Sequence, residues 1–176
     1  MYLETKRLRL EKFKLGDENL LFELDSNPNV LKYVGGERAS IEIYKETIQN
    51  YLDFYSLKKD CGFFKAIYKE TNEFIGWFHL RPEQSEPNNF SLLELGYRLK
   101  EAYWGKGIAT EGSKLLVEKA FKSLGVDGVS SMAFHKNKAS FRIMEKIGMS
   151  FENEILYMNL YLLYRYLITK KQYFDN

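Results

Sequence analysis

The sequence predicts an α/β protein with a mixed, mostly antiparallel sheet of about seven strands flanked by helices. Short runs that alternate apolar and polar residues recur along the chain and are typical of half-buried strands. Apolar residues at three- and four-residue intervals mark amphipathic helices. The second half also runs in the order strand, helix, strand, helix, which favours a crossover unit with parallel strands at its centre.

The first half is predicted to hold one strand and two helices, followed by three strands in an antiparallel meander. The strand covers residues 7–13, and the helices run from an Asp17 cap to about residue 25 and from a Ser40 cap to about residue 58. The meander strands cover residues 63–68, 74–80 and 91–99. Residues 81–89 carry two of the three prolines, so we expect an exposed loop there.

The second half is predicted to continue with a helix over residues 110–124 that ends at Gly125, a strand over 129–134 and a helix over 137–147. Residues 151–173 are expected to form two more strands. With 176 residues, the chain lies near the upper end of what one hydrophobic core supports. Residues 1–176 are therefore expected to form a single domain.

The composition gives no electrostatic reason to expect nucleic acid or a membrane as a partner. The 26 basic and 24 acidic residues are mixed along the chain and leave a net charge of +2. No apolar run approaches the roughly 18 residues that cross a bilayer, so we expect a cytoplasmic protein. The single cysteine, Cys61, excludes an intrachain disulfide, and two isolated histidines, His79 and His135, argue against a metal site.

A glycine loop, residues 104–109 (WGKGIA), lies between a predicted strand and a predicted helix. Small residues there leave backbone N–H groups open to phosphate oxygens, and the positive end of the helix dipole favours the same ligand. The loop lacks the third glycine of the dinucleotide fingerprint, and no Gly-Lys pair precedes Ser or Thr. The loop is thus compatible with a pyrophosphate or with a simple tight connection.

The motif around this loop resembles a known one. Residues 94–99 (ELGYRL) and 102–111 (AYWGKGIATE) resemble the acetyl-CoA-binding motif of the GNAT N-acetyltransferases. Residues 4–10, 74–76 and 137–148 also resemble the ribosomal-protein N-terminal acetyltransferase (RimJ/RimL-like) branch of that superfamily. The likeness covers nearly the whole chain and implies a GNAT-like fold, acetyl-CoA as co-substrate and direct acetyl transfer to a primary amine. That amine would belong to a protein N-terminus, such as that of a ribosomal protein, or to a small molecule.

The resemblance also implies roles for individual residues. Backbone groups of Tyr97 and Leu99 would hydrogen-bond the pantetheine arm. The pyrophosphate would be held by Gly105, Lys106, Gly107, Ile108 and Ala109. Asn137 would lie against the cofactor and Ser140 near its sulfur, although Asn137 can equally be a helix N-cap and Ser140 a solvated helix residue. Trp104 departs from the Gln or Arg that commonly opens this loop, but this branch often has Trp there.

The candidate catalytic groups are Ser140 and Glu94. Met144 and Met132 stand where many relatives carry a tyrosine acid and a glutamate base, so neither of those groups is present. Alternation along the strand puts Glu94 on the same face as Arg98, so Glu94 could take the amine's proton through a water or could pair with a cation. His79 is an alternative base.

Two other functions remain open from the sequence. The missing tyrosine and glutamate are compatible with an acyl-CoA-binding sensor or scaffold without turnover. A structural protein without a cofactor would require the glycine loop to be accidental. The oligomeric state is not readable from the residues, and a homodimer is one state that we consider.

Overall fold

The computed structural model describes residues 2–58 and 60–175 and has an eight-stranded sheet flanked by helices. The strands are β1 (Tyr2–Glu4), β2 (Leu8–Lys12), β3 (Gly62–Tyr68), β4 (Glu73–Pro82), β5 (Leu92–Leu99), β6 (Gly128–Phe134), β7 (Ser150–Tyr157) and β8 (Tyr161–Thr169). The helices are α1 (Glu18–Leu24), α2 (Pro28–Leu31), α3 (Ile41–Leu57), α4 (Ile108–Lys119), α5 (Lys138–Lys146) and α6 (Lys170–Asp175). A π-helical turn over Ala120–Leu124 extends α4 to Gly125.

The sheet has the order β1-β2-β3-β4-β5-β6-β8-β7, and only β5 and β6 pair in parallel. This confirms the mixed, mostly antiparallel sheet, the meander of β3, β4 and β5, and the crossover through α4. The structure has one strand more than the seven predicted, because β1 pairs with β2 through Leu3 and Leu10. Three residues are too few to show an alternating pattern, so the sequence did not reveal β1.

Two short helices also escaped prediction. The helix α2 lies between the two helices predicted for the first half, with Pro28 at its first position and the Asn27 side chain accepting from the Asn29 N–H at 2.9 Å. The helix α6 follows β8 directly and has six residues. Elements of one or two turns carry too little periodicity to stand out from loops.

Hydrophobic side chains pack on both faces of the sheet. On one face, Phe78 and Leu95 pack with Leu116 of α4 in the larger cluster of buried residues. On the other face, Phe74 packs with Ile48 and other apolar residues of the helices α1, α2 and α3. Because strand side chains alternate between faces, the central strands contribute to both layers.

Asp17 and Ser40 stand at the predicted N-cap positions, but neither side chain makes a capping hydrogen bond. The Asp17 carboxylate instead accepts from Lys65 Nζ at 2.8 Å and from the Lys14 N–H at 2.9 Å. The side chains of Asp17 and Lys65 are each only 8% exposed. A buried lysine needs a counter-charge, which explains why Asp17 turns toward the sheet.

None of the helices in the described part of the chain is long and apolar enough to cross a membrane.

Gly96 is required by the packing of one side chain across the β4–β5 pair. Gly96 lies opposite His79, and a Cβ at Gly96 would be 2.5 Å from the nearest atom of the imidazole ring. Such overpacking typically costs about 1–3 kcal/mol, so we expect Gly96→Ala to lower the free energy of unfolding by about that amount. Chemical denaturation followed by fluorescence measures this change.

The control is His79→Ala, alone and combined with Gly96→Ala. Removing the imidazole opens the space that the new methyl group needs, so the double variant should lose less stability than the sum of the two single variants. Additive losses of stability would show that the imidazole ring does not limit the space available at position 96.

Candidate active site

Strands β5 and β6 form a fork. They pair over only three positions, from Leu92 opposite Gly128 to Glu94 opposite Ser130. β5 continues along β4 as far as Leu99, while β6 continues along β8 as far as Phe134. Within residues 2–58 and 60–175, nothing pairs β5 with β6 beyond Glu94, so the inner edge of β5 is open there.

The open edge of β5 carries the backbone groups of Tyr97 and Leu99. The Lys100 N–H donates to the Ile75 carbonyl on β4 at 2.8 Å. Because peptide groups alternate sides along a strand, those of Tyr97 and Leu99 point away from β4 and into the fork. The Trp104 indole N–H donates to the Leu99 carbonyl at 2.8 Å, so one lone pair of that oxygen is already used. Trp104 thereby ties the glycine loop to the end of β5.

The glycine loop opens onto the first turn of α4. Gly105 and Gly107 have φ angles of 70° and 74°, a left-handed backbone that favours glycine. Among the described residues, none accepts a hydrogen bond from the backbone N–H groups of residues 105–110. A cluster of free N–H groups at the N-terminus of a twelve-residue helix fits a pyrophosphate.

The start of α5 borders the same side of the fork. Asn137 is the N-cap, and its side-chain oxygen accepts from the Ser140 N–H at 3.2 Å. The Tyr97 hydroxyl donates to the Ser140 carbonyl at 3.5 Å, which links β5 to α5. Burial raises the pKa of Tyr97 to about 12, although the contact with Ser140 opposes this. Met144 is in the core, 1% exposed.

Glu94 lies on the opposite face of β5. Its partner across the β4–β5 pair is Arg81, and Arg81 Nη2 is 3.1 Å from Glu94 Oε2. Arg98 turns away and binds Asp25 at 2.8 Å. The cation that pairs with Glu94 is therefore Arg81 from the neighbouring strand and not Arg98. Burial raises the pKa of Glu94, and the charge of Arg81 opposes this shift.

His79 lies beside Glu94 and is buried. Its Nε2 is 3.8 Å from Glu94 Oε1, which is too long for a hydrogen bond. Neither ring nitrogen has a hydrogen-bond partner among the described residues. Burial, followed by the charges of Arg81 and Arg98, lowers the pKa of His79 well below the ordinary value. His79 is thus neutral at neutral pH and poorly suited to hold a proton.

A second group of charges lies at the base of the fork. Glu83 is 9% exposed and accepts from Arg165 at 2.7 Å and from the Ser130 hydroxyl. Arg165 also pairs with Glu152. The expected loop is therefore wrong at its start: β4 extends to Pro82, and Glu83 is buried against the sheet. Only the assembled sheet brings these residues together, so no local signal marks them.

No group of three or more His, Cys, Asp and Glu side chains in the described ranges converges on a point that could hold a metal ion. His135 lies at the end of β6, where its Nδ1 is 3.2 Å from the Leu162 carbonyl.

Known proteins are similar to this chain in sequence and in architecture. The acetyltransferase (GNAT family) structure from Bacillus anthracis aligns with a TM-score of 0.82 at 23% identity, covering 97% of this chain and 99% of that one. The ribosomal L7/L12 alpha-N-protein acetyltransferase RimL, in complex with coenzyme A, gives 0.80 at 14% identity, covering 96% and 98%. The uncharacterized N-acetyltransferase p20 of Bacillus licheniformis is 31% identical over 153 residues, 86% of this chain and 83% of that protein. Residues 7–150 match the family described as "Acetyltransferase (GNAT) domain". The chain therefore belongs to the GNAT acetyltransferase family and is an acetyl-CoA-dependent N-acetyltransferase.

Proposed function

We propose that this enzyme acetylates a primary amine in a ternary complex, with Glu94 as the acceptor of the amine's proton and Ser140 beside the leaving sulfur. The observation that carries the proposal is the fork between β5 and β6. One face of β5 borders the glycine loop and α5, and the other face carries Glu94. The two substrates can therefore approach the same strand from opposite faces.

On the cofactor side, the free N–H groups of residues 105–110 would bind the pyrophosphate, involving Gly105, Lys106, Gly107, Ile108 and Ala109. The peptide groups of Tyr97 and Leu99 would pair with the pantetheine amides as a further strand does. Asn137 would contact the arm near Ser140. Acetyl-CoA supplies the acetyl group as a thioester.

On the acceptor side, Glu94 has one oxygen engaged and one available. Arg81 is the near neighbour of Oε2, whereas no hydrogen bond to Oε1 is made by any described residue. A carboxylate whose pKa is raised by burial is a better proton acceptor than an exposed one. Glu94 can thus take a proton from the attacking amine through a water.

The acceptor itself is proposed at the level of its chemistry. A protein N-terminal amine has an ordinary pKa of about 7.7–8.0, so a modestly basic carboxylate and water suffice to deprotonate it. The fold likeness to RimL makes the N-terminus of a ribosomal protein the first acceptor to test. Small primary amines are the second class.

We further propose that residues 1–176 act as one N-acetyltransferase domain, because a single sheet includes strands from β1 to β8. A cytoplasmic location and a homodimer stay predictions from the sequence.

The first test is titration of acetyl-CoA into the purified protein, followed by thiol release against amines and ribosomal N-terminal peptides. We expect saturable binding at one site per chain and acceptor-dependent release of the thiol. Binding without release for any acceptor in the panel would contradict the proposed amine transfer. Absence of binding would contradict the proposed cofactor site.

Replacement of Glu94 tests its role as proton acceptor. Because Glu94 must be deprotonated to act, kcat/KM should fall as the pH drops through the raised pKa of this carboxyl. Glu94→Gln should lower kcat/KM about 100-fold or more and abolish this acidic limb of the pH profile. The matched control, Glu154→Gln on the exposed strand β7, should keep both the rate and the limb. An unchanged limb in Glu94→Gln would assign the proton to another group.

Two substitutions on α5 separate capping from substrate contacts. Asn137→Ser keeps a good cap, so its stability should match that of the wild type while its affinity for acetyl-CoA falls. Asn137→Ala should lose affinity and also about 1 kcal/mol of stability. Ser140→Ala should lower kcat and leave acetyl-CoA affinity unchanged. If Asn137→Ser bound acetyl-CoA with wild-type affinity, Asn137 would act only as a helix cap.

A further inference from the structure

Arg7 reaches from the start of the chain to the glycine loop. It lies between β1 and β2, and its Nη1 donates to the Lys106 carbonyl at 2.9 Å. Its Nε donates to Glu111 at 2.6 Å, and its backbone N–H donates to the same carboxylate at 2.9 Å. The residues Arg7 and Lys106 are 99 positions apart in the sequence. A single guanidinium thus bridges the loop and the first turn of α4.

The contact with Lys106 fixes the orientation of one peptide unit in the glycine loop. The C=O and N–H of a trans peptide unit point in opposite directions. When the Lys106 carbonyl faces Arg7, the Gly107 N–H faces away from Arg7. Glycine on both sides of Lys106 makes this segment permissive to reorientation, and a reversed peptide would present its carbonyl oxygen to the bound anion. Arg7 opposes that reversal.

The contact between Arg7 and Glu111 neutralises the negative charge of the Glu111 carboxylate. Glu111 is the fourth residue of α4, so its carboxylate lies near the helix N-terminus where an anion would bind. Burial acts to raise the pKa of Glu111, but the hydrogen bonds from Thr5 and Arg7 outweigh it and lower that pKa. Glu111 is therefore charged at neutral pH. Without Arg7, this charge would repel a pyrophosphate.

We propose that Arg7 is a positioning residue for the pyrophosphate of acetyl-CoA, acting through the Lys106 carbonyl and the Glu111 carboxylate. The inference rests on the cofactor site of the proposed function and assigns the N-terminal segment a role in donor affinity. Arg7 binds the carbonyl side of the loop, opposite the N–H groups that would bind the pyrophosphate. We therefore expect it to affect the affinity only for donors that carry the pyrophosphate.

The test compares two donors, acetyl-CoA and S-acetylpantetheine, which lacks the pyrophosphate and nucleotide. Arg7→Met should raise the Kd for acetyl-CoA about tenfold or more, because charge-assisted hydrogen bonds are lost. The Kd for S-acetylpantetheine should change less than twofold. A merely structural role would weaken both donors by the same factor, and this outcome would overturn the inference.

The matched control is Arg9→Met. Arg9 pairs with Glu11 and donates a hydrogen bond to the Asn72 side chain, and none of its hydrogen bonds or ion pairs in the described part of the chain involves the glycine loop. Both Kd values should stay at the wild-type level in this variant. A similar loss of acetyl-CoA affinity in Arg9→Met would mean that general positive charge, not the Arg7 contacts, is responsible.

Arg7→Lys keeps the test usable if the methionine variant does not fold. A lysine retains the charge but lacks the planar guanidinium that donates to the Lys106 carbonyl and the Glu111 carboxylate together. The expected rise in the Kd for acetyl-CoA alone is therefore intermediate.

Titration of the wild type separates failure of the cofactor site from failure of the role of Arg7. If the wild type fails to bind acetyl-CoA, the proposed site falls together with this inference, whereas wild-type binding with an unchanged Kd in Arg7→Met overturns only the role of Arg7.

Discussion

The short parallel contact between β5 and β6 is the constraint on which the rest of the site depends. Three residue pairs join the two halves of the sheet, and beyond Glu94 each strand follows its other neighbour. A backbone edge without a partner is costly when buried, so this edge requires water or a ligand rich in amide groups. In the proposed site, a pantetheine arm would satisfy this need through its amides, so backbone groups would make up most of the cofactor side.

Because side chains alternate along a strand, neighbouring residues of β5 point to opposite faces of the sheet. Tyr97 points toward α5 and contacts Ser140, while Arg98 binds Asp25 at the end of α1 and Glu94 shares the face of Arg98. The proposed cofactor and acceptor surfaces are therefore adjacent in sequence yet lie on opposite faces of one strand. A one-residue slip of β5 would exchange the two faces and destroy both surfaces at once.

Glu94 differs from the neighbouring carboxylates in its hydrogen bonds and ion pairs. Asp25 accepts hydrogen bonds from Arg98 and from the Tyr44 hydroxyl, both at 2.8 Å. Glu83 accepts hydrogen bonds from Arg165 and from the Ser130 hydroxyl. Among the described residues, Arg81 is the only lysine or arginine that forms an ion pair with Glu94, and burial raises the pKa of Glu94. His79 lies beside Glu94, and its neutral ring adds no charge there. This environment supports the proposed role of Glu94 as proton acceptor.

The sequence by itself determined the meander, the crossover through α4 and the glycine loop before α4, because alternation, helical periodicity and glycine are local signals. It also placed Asn137 at the start of α5. Only the tertiary structure decided that Glu94 pairs with Arg81, that Asp17 binds Lys65 instead of capping α1, and that Glu83 is buried. It alone brought Arg7 to the glycine loop across 99 positions of sequence. Such contacts depend on strand register and on elements meeting after folding, which no local pattern encodes.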